Sequence, residues 1–139
     1  MEYKFYNYLP EEAKAIRKAV FVEEQGFQNE FDDIDQRAIH LIVAFNGKWV
    51  ATARVFADKE AGTYDIGRVC VLKAYRKYHL GSKLMHLIEE KVKELGGKKI
   101  ILSAQCRVRP FYEKLGYTAS GGVYLDEYCE HIHMEKHLA

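Results

Sequence analysis

VLKAYRKYHLGSKLM (71–85) decides how this chain is read. An apolar run of strand character breaks into the basic residues Lys73, Arg76 and Lys77, and Gly81 and Ser82 then stand where a helix begins. A helix N-terminus presents unpaired N–H groups and the positive end of its dipole, so it suits phosphate oxygens. Gly81 lets a ligand approach the backbone, Ser82 adds a hydroxyl donor, and Arg76 and Lys77 add charge. The turn therefore reads as a pyrophosphate cradle, with a solvated basic loop as the competing reading. Neither G-x-x-x-x-G-K-[ST] nor G-x-G-x-x-G is present, so it is not a Walker loop or a dinucleotide fingerprint.

Working outward, YDIGRVCVL (64–72) before the turn has the β-branched character of a strand. After it, apolar residues at 80, 84, 87, 88, 92 and 95 predict an amphipathic helix ended by Gly96-Gly97. KKIILSA (98–104) reads as a buried strand. A strand, a helix and a strand in succession imply parallel strands and a right-handed crossover. Upstream, EYKFYNY (2–8) alternates as a strand, and Pro10 opens a helical stretch in which Ala13, Ile16 and Val20 recur up to about Gln25. Residues 26–38 lack periodicity and read as a loop. AIHLIVAF (38–45) and WVATARVFA (49–57) flank Asn46-Gly47, a hairpin signal because both residues tolerate positive φ. Downstream come a short helix over 107–115 and two closing strands, in YEKLGYTAS and EHIHMEKHL. The predicted order, β-α-β-β-β-α-β-α-β-β, is that of an α/β layered domain.

Bulk properties narrow the classes of function. A length of 139 residues predicts one domain with a single core. Lys and Arg number 21 against 20 Asp and Glu, so the net charge of +1 supplies no general drive toward nucleic acid or anionic lipid. A nucleic-acid reading of Lys73, Arg76 and Lys77 stands far behind for that reason. No apolar run approaches the length of a membrane span, and MEYKFYNYLPEE lacks a signal-peptide h-region. Cys70, Cys106 and Cys129 are scattered without C-x-x-C spacing, which reads as reduced thiols and makes the cytoplasm the default.

VxxxxRxxxxGS followed by an amphipathic helix resembles motif A of the GNAT N-acetyltransferases, and RPFYEKLGYTA (109–119) resembles their motif B. VFVEEQG (20–26) and the D-x-x-D pair in DDID, with HLIV after it, are similar to the small bacterial ElaA-like branch. The resemblance spans almost the whole chain. It implies a GNAT-like acyl-CoA N-acyltransferase fold over 1–139: a central mixed, mostly antiparallel sheet, parallel strands at the cofactor cleft, and flanking helices. In the family's R/Q-x-x-G-x-G/A turn, Arg76 and Gly81 match the first and last positions, while His79 replaces the middle glycine.

The implied activity is transfer of an acetyl group from acetyl-CoA to the primary amine of a small molecule or protein, by direct attack in a ternary complex. The backbone amides of 77–82, contributed by Lys77, His79, Leu80, Gly81 and Ser82 among others, would hold the pyrophosphate of coenzyme A. Val69 and Val71 would pair with the pantetheine arm as an added strand, and Gln105 stands where many relatives contact that arm. Tyr112 occupies the motif B position whose phenol often serves the leaving thiolate. An alkyl amine must lose a proton before attack, so a base or water relay is needed. Glu24 is the leading candidate for that base, because relatives bring the substrate wall from its region. His131 is a second candidate base or substrate contact, because its strand closes the acceptor side in the resembled fold. His40 reads rather as a structural histidine.

Other features have competing readings. His131 and His133 alternate with Ile132 and Met134, but imidazoles on one flat strand face rarely close a zinc tetrahedron, so no metal is expected. Glu30, Asp32, Asp33 and Asp35 form an acidic loop that either attracts a cationic amine or is simply solvated. An exposed terminal strand would suit a homodimer. A non-catalytic acyl-CoA sensor or interaction module on the same fold is the alternative to an enzyme; Tyr112 and a usable base separate the two.

Overall fold

The computed structural model describes residues 2–138. Among these, the elements run β1 (Glu2–Tyr6), α1 (Glu11–Arg17), β2 (Ile39–Phe45), β3 (Lys48–Ala57), β4 (Thr63–Val71), α2 (Leu80–Glu94), β5 (Lys99–Gln105), α3 (Arg109–Lys114), β6 (Thr118–Asp126) and β7 (Cys129–His137). This is the order predicted from periodicity. The strands form a mixed sheet, β1-β2-β3-β4-β5-β7-β6, antiparallel except for the β4–β5 pair.

α2 packs Leu80, Leu84, Met85, Ile88 and Val92 onto one face of the sheet, where Ala51, Ala53, Val55, Ile100 and Met134 are also buried. Its exit needs a glycine: a Cβ on Gly97 would lie 2.3 Å from Val92 Cγ1. The opposite face carries the first helical stretch, with Ala13, Ile16 and Val20 inward as their spacing predicts. That stretch is not uniform. After α1 it widens into a π-helix over Lys18–Glu24, so Val20 and Phe21 face the middle of the sheet and Gln25 ends beside β5.

The loop expected over 26–38 contains a 3-10 turn, Asp33–Gln36, and a second 3-10 helix, Lys73–Tyr78, joins β4 to α2. Cys70, Cys106 and Cys129 are all free. No helix among the described residues is long and apolar enough to cross a membrane.

Two features of β4 place the site. Its parallel pairing with β5 covers only Thr63–Ile66 against Lys99–Leu102, after which the strands diverge. On its other edge a bulge intervenes: Gly67 faces Arg54 and Cys70 faces Thr52, so β4 advances three residues while β3 advances two. Arg68 sits in this bulge at φ 54°, a left-handed conformation unusual for any residue but glycine.

Candidate active site

The divergence of β4 and β5 opens a cleft of about 720 Å³. One lip is β4 from Asp65 to Val71; the other is formed by Leu102, Ser103 and Gln105 of β5. Beyond Ile66 the β4 edge facing the cleft has no strand partner, so its amides and carbonyls are free to bind an extended ligand.

At one end lies the turn into α2. His79 adopts φ 59° and serves as the N-cap without a side-chain cap, which leaves the first-turn amides unsatisfied by the helix. Arg76, His79, Gly81 and Ser82 line the cleft there, while the Leu80 side chain is buried in the core, so only its backbone can meet a ligand. Lys77 lies over the ring of Tyr78, 5.4 Å from its centroid, and does not border the cleft. The space beside Gly81 is already taken, since an ideal Cβ would stand 3.2 Å from Phe111 Cζ. Glycine therefore eases the close approach of α2 and α3 here.

Tyr112, on α3, is 8% exposed and borders the cleft. Burial pushes its phenol well above the usual tyrosine range. Its hydroxyl bonds to no protein group among the described residues, and it is not a fully enclosed orphan either. Gln105 borders the same space and donates from Nε2 to Gln25 Oε1 at 2.8 Å. Val69 and Val71 stand on the free β4 edge, as expected of residues that would pair with an arm.

The candidate bases separate. Glu24 does not line this cleft; both its oxygens bind Arg76 at 2.7 Å, and the hydrogen bonds and charge of that guanidinium hold its carboxyl below the usual range. A carboxylate so engaged is a poor proton acceptor, and the geometry assigns Glu24 to Arg76 instead. His131 does line the cleft. Its Nδ1 is 3.0 Å from the Cys129 carbonyl, which can only accept, so Nδ1–H donates and Nε2 is the nitrogen left to face a ligand. His40 is fully buried with Nε2 2.9 Å from the Asp35 carbonyl, the structural role its sequence context suggested.

Asp65 was not singled out by sequence. It lies on β4 two residues before Gly67, borders the cleft, and has no ion pair or side-chain hydrogen bond among the described residues. Burial, together with the charge of nearby Asp58, pushes its carboxyl up to about 6. The alternation of YDIGRVCVL places Asp65 on a strand, but its burial depends on a long-range divergence that alternation does not encode.

The acidic loop divides between its sequence readings. Glu30 and Asp35 are each 5% exposed, so they are not solvated, whereas Asp32 and Asp33 stay exposed, and arginines already pair with Glu30, Asp32 and Asp35. Arg17 binds Glu30 and Asp35 at 2.9 and 2.8 Å, Arg54 binds Asp32 and Asp35 at 2.7 and 2.9 Å, and Arg68 binds Glu30 at 2.9 Å. No group of three or more His, Cys, Asp or Glu side chains suited to a metal occurs among the described residues.

Comparison with known proteins agrees with this geometry. The model of the acetyltransferase (GNAT) domain matches residues 7–138. The chain is 35% identical over 133 residues to YyaT of Bacillus subtilis (strain 168), covering 92% of this chain and 88% of that protein. It is 31% identical over 128 residues to ElaA of Escherichia coli (strain K12), covering 88% and 84%, and the crystal structure of Escherichia coli ElaA superposes with a TM-score of 0.86 over 97% and 98%. An acyl-CoA N-acyltransferase from Pseudomonas aeruginosa, 27% identical, gives 0.85 over 97% and 98%. A strand pair that opens onto a capless helix start, in a chain with these relatives, belongs to an acyltransferase: the protein is a member of the GNAT acetyltransferase family, in its ElaA-like branch.

Proposed function

We propose that the protein transfers the acetyl group of acetyl-CoA to the primary amine of a small molecule, both substrates being bound at once. The observation that carries this reading is the cleft itself, with a free strand edge along one wall, unpaired helix amides at one end, and the Tyr112 hydroxyl and Asp65 carboxyl on its surface. Acetyl-CoA would supply the activated acyl group. The amides of His79–Ser82 would meet its pyrophosphate, and the β4 edge at Val69 and Val71 its pantetheine arm.

Asp65 is the base favoured by position and environment. A carboxyl at about 6 is ionised at neutral pH and basic enough to take a proton from an ammonium, directly or through one water. An N–H of the Val69–Val71 edge would stabilise charge on the carbonyl oxygen as the amine attacks. Tyr112, kept neutral by burial, can then pass its proton to the departing sulfur and take back the second proton of the attacking nitrogen as the acetamide forms. The products are an acetamide and free coenzyme A.

A small acceptor fits better than an amine on a folded protein. The β6–β7 turn roofs the acceptor side: the Glu127 carboxylate accepts from the N–H groups of Gln28 and Asn29 at 2.9 Å each. The Tyr128 hydroxyl donates to the Gln25 carbonyl, and its ring stacks on Phe27 with centroids 5.3 Å apart. Beneath this roof, Phe27, Ile34 and Phe56 offer an apolar wall and Asp65 an unpaired charge, a setting for a compact cationic amine.

The test begins with calorimetric titration of acetyl-CoA into the native protein and into Ser82→Asp. Ser82 is preferable to Gly81 because a side chain at 81 would press on Phe111. Binding at about micromolar Kd, lost in the variant, supports the cradle. A thiol-release screen should then favour small primary amines over lysine-containing peptides. No binding by the native protein overturns the acetyl-CoA reading, and faster turnover of peptides overturns the small-acceptor reading.

A further inference from the structure

Among the described residues, four other than glycine have positive φ: Asn46, Arg68, His79 and Glu127. Asn46 and Glu127 lie in hairpin turns and His79 precedes a helix; Arg68 alone lies within a strand. A left-handed arginine in a strand persists only where its surroundings impose it. Arg68 lies two residues past Ile66, the last β4 residue paired to β5, and one before Val69, so the bulge sits where the cleft begins to open.

Ion pairs to Glu30 and Asp32 impose it. Arg68 Nε is 2.9 Å from Glu30 Oε2, and its Nη2 donates to the Glu30 carbonyl at 2.9 Å and lies 3.4 Å from Asp32 Oδ2. Glu30 and Asp32 are not free to follow Arg68 elsewhere. Arg17 Nε binds the same Glu30 oxygen at 2.9 Å, and Arg17 Nη2 donates to the Glu30 carbonyl at 3.1 Å. Arg54 grips Asp32 through Nη1 and Nη2 at 2.7 and 3.1 Å, and it stands on β3 opposite Gly67, the residue before Arg68. Asp35 ties Arg17 to Arg54 with bonds of 2.8 and 2.9 Å. Three guanidinium groups and three carboxylates therefore close a ring, buried at Arg17, Glu30, Asp35 and Arg54 and open to solvent at Asp32, that joins α1, the 26–38 loop, β3 and the bulge.

We propose that this ring is a brace that holds Arg68 in its left-handed conformation and so aims the Val69–Val71 edge of β4 into the cleft. Arg68 is then a positioning residue for the acyl-CoA arm, and the D-x-x-D pair of DDID serves β4 geometry and not acceptor capture. The inference rests on the acyl-CoA reading above only for one of its two tests.

The first test compares acetyl-CoA affinity by calorimetry in native protein, Arg68→Ala and Arg68→Gly. Glycine accepts φ near +54° without the side-chain penalty, whereas alanine does not. Arg68→Ala should bind about tenfold more weakly, and Arg68→Gly should return to within about threefold of native although it lacks the guanidinium. Equal losses in both variants, or no loss in either, overturn the brace. Should Arg68→Ala fail to fold, Asp32→Asn takes its place, since it weakens the ring without altering β4: weaker binding that adding Arg68→Gly restores supports the proposal, and unchanged affinity in Asp32→Asn overturns it.

The second test needs no ligand. The amide NMR shift of Val71, which is not adjacent to the substitution, should move in Arg68→Ala and stay close to native in Arg68→Gly; an unmoved shift in Arg68→Ala, or one displaced alike in both variants, overturns the brace. If native protein bound no acetyl-CoA, the acyl-CoA reading would fall while this shift would still decide the brace.

Discussion

Glu24 holds Arg76 by both carboxylate oxygens, each 2.7 Å from a guanidinium nitrogen, at the mouth of the cleft. Arg76 is also anchored by its Nε to the Val71 carbonyl at 3.0 Å, so the pair is tied to the end of β4. An anion arriving at the turn must compete with Glu24 for this arginine. Glu24→Gln should therefore tighten acetyl-CoA binding, by up to about fivefold since half-exposed ion pairs contribute only about 0–1 kcal/mol. Calorimetry at low and moderate salt checks it. Unchanged affinity with turnover reduced by about a hundredfold or more would instead restore Glu24 as the base.

Asp65→Asn should make the protein more stable and less active. The folded Asp65 carboxyl, at about 6, titrates above its unfolded value near 3.9, so the native state binds more protons between those values. Stability is then lost as pH rises from about 4 to about 6 and stays lower above it. Removing the charge should recover about 1–2 kcal/mol at pH 7 after solvent screening, and nothing at pH 4. Turnover should fall by about 10²–10⁴-fold. In the native enzyme, activity should decline as pH drops through about 6. Melting curves at the two pH values and a pH–rate profile check these outcomes; a destabilised variant with normal turnover would remove Asp65 from the site.

Tyr112→Phe should separate chemistry from binding. The hydroxyl has no protein partner among the described residues, so its loss leaves no orphaned donor or acceptor there and should change stability by less than about 0.5 kcal/mol. Turnover should fall by about 10²-fold while acetyl-CoA affinity stays the same, as expected when a group acts only on the departing sulfur. Equal loss of kcat and affinity would make Tyr112 a packing residue.

Asp35 in the arginine–carboxylate ring predicts acid sensitivity, while burial shifts Glu30 the other way. Burial alone would raise the Asp35 carboxyl, but hydrogen bonds and charge from Arg17 and Arg54 outweigh it and hold it at about 2. A folded value below the unfolded one contributes stability that is present above about pH 4 and lost as pH falls through about 2. Arg17→Ala, which leaves buried Glu30 to Arg68 alone and Asp35 to Arg54 alone, should cost about 3 kcal/mol. Thermal and urea unfolding between pH 2 and pH 7 would test both statements, and a flat acid profile would contradict the first.

What could be read from sequence was whatever a short window encodes. The helix start after Tyr78, the Gly96-Gly97 stop, the Asn46-Gly47 hairpin and the strand-helix-strand order all rest on neighbouring residues, and all are found. The rest is tertiary. Arg17, Arg54 and Arg68 come from three elements to meet one acidic loop, so no local pattern shows that Glu30 and Asp35 are buried. The π-helical widening after Arg17 leaves the positions of Ala13, Ile16 and Val20 consistent with an ordinary helix, and so it is invisible to periodicity. Glu24 was favoured because of the region it occupies; its partner Arg76 is 52 residues away. Tyr112, placed by F-Y-x-K-L-G, lies at the cleft because motif B encodes the short helix that carries it.

The sheet is stitched along its middle by only four residue pairs, Thr63–Ile66 against Lys99–Leu102. On one side of that seam lie β1 to β4 and on the other β5 to β7, bridged above by α2. Such a molecule behaves as two plates with a short weld, and an extended ligand along the open lip lengthens the weld. Protection from hydrogen exchange should then rise together at residues 67–71 on one lip and 103–105 on the other, though these segments never touch each other in the strand pairing. A ligand of this shape would stiffen the whole sheet from its centre outward.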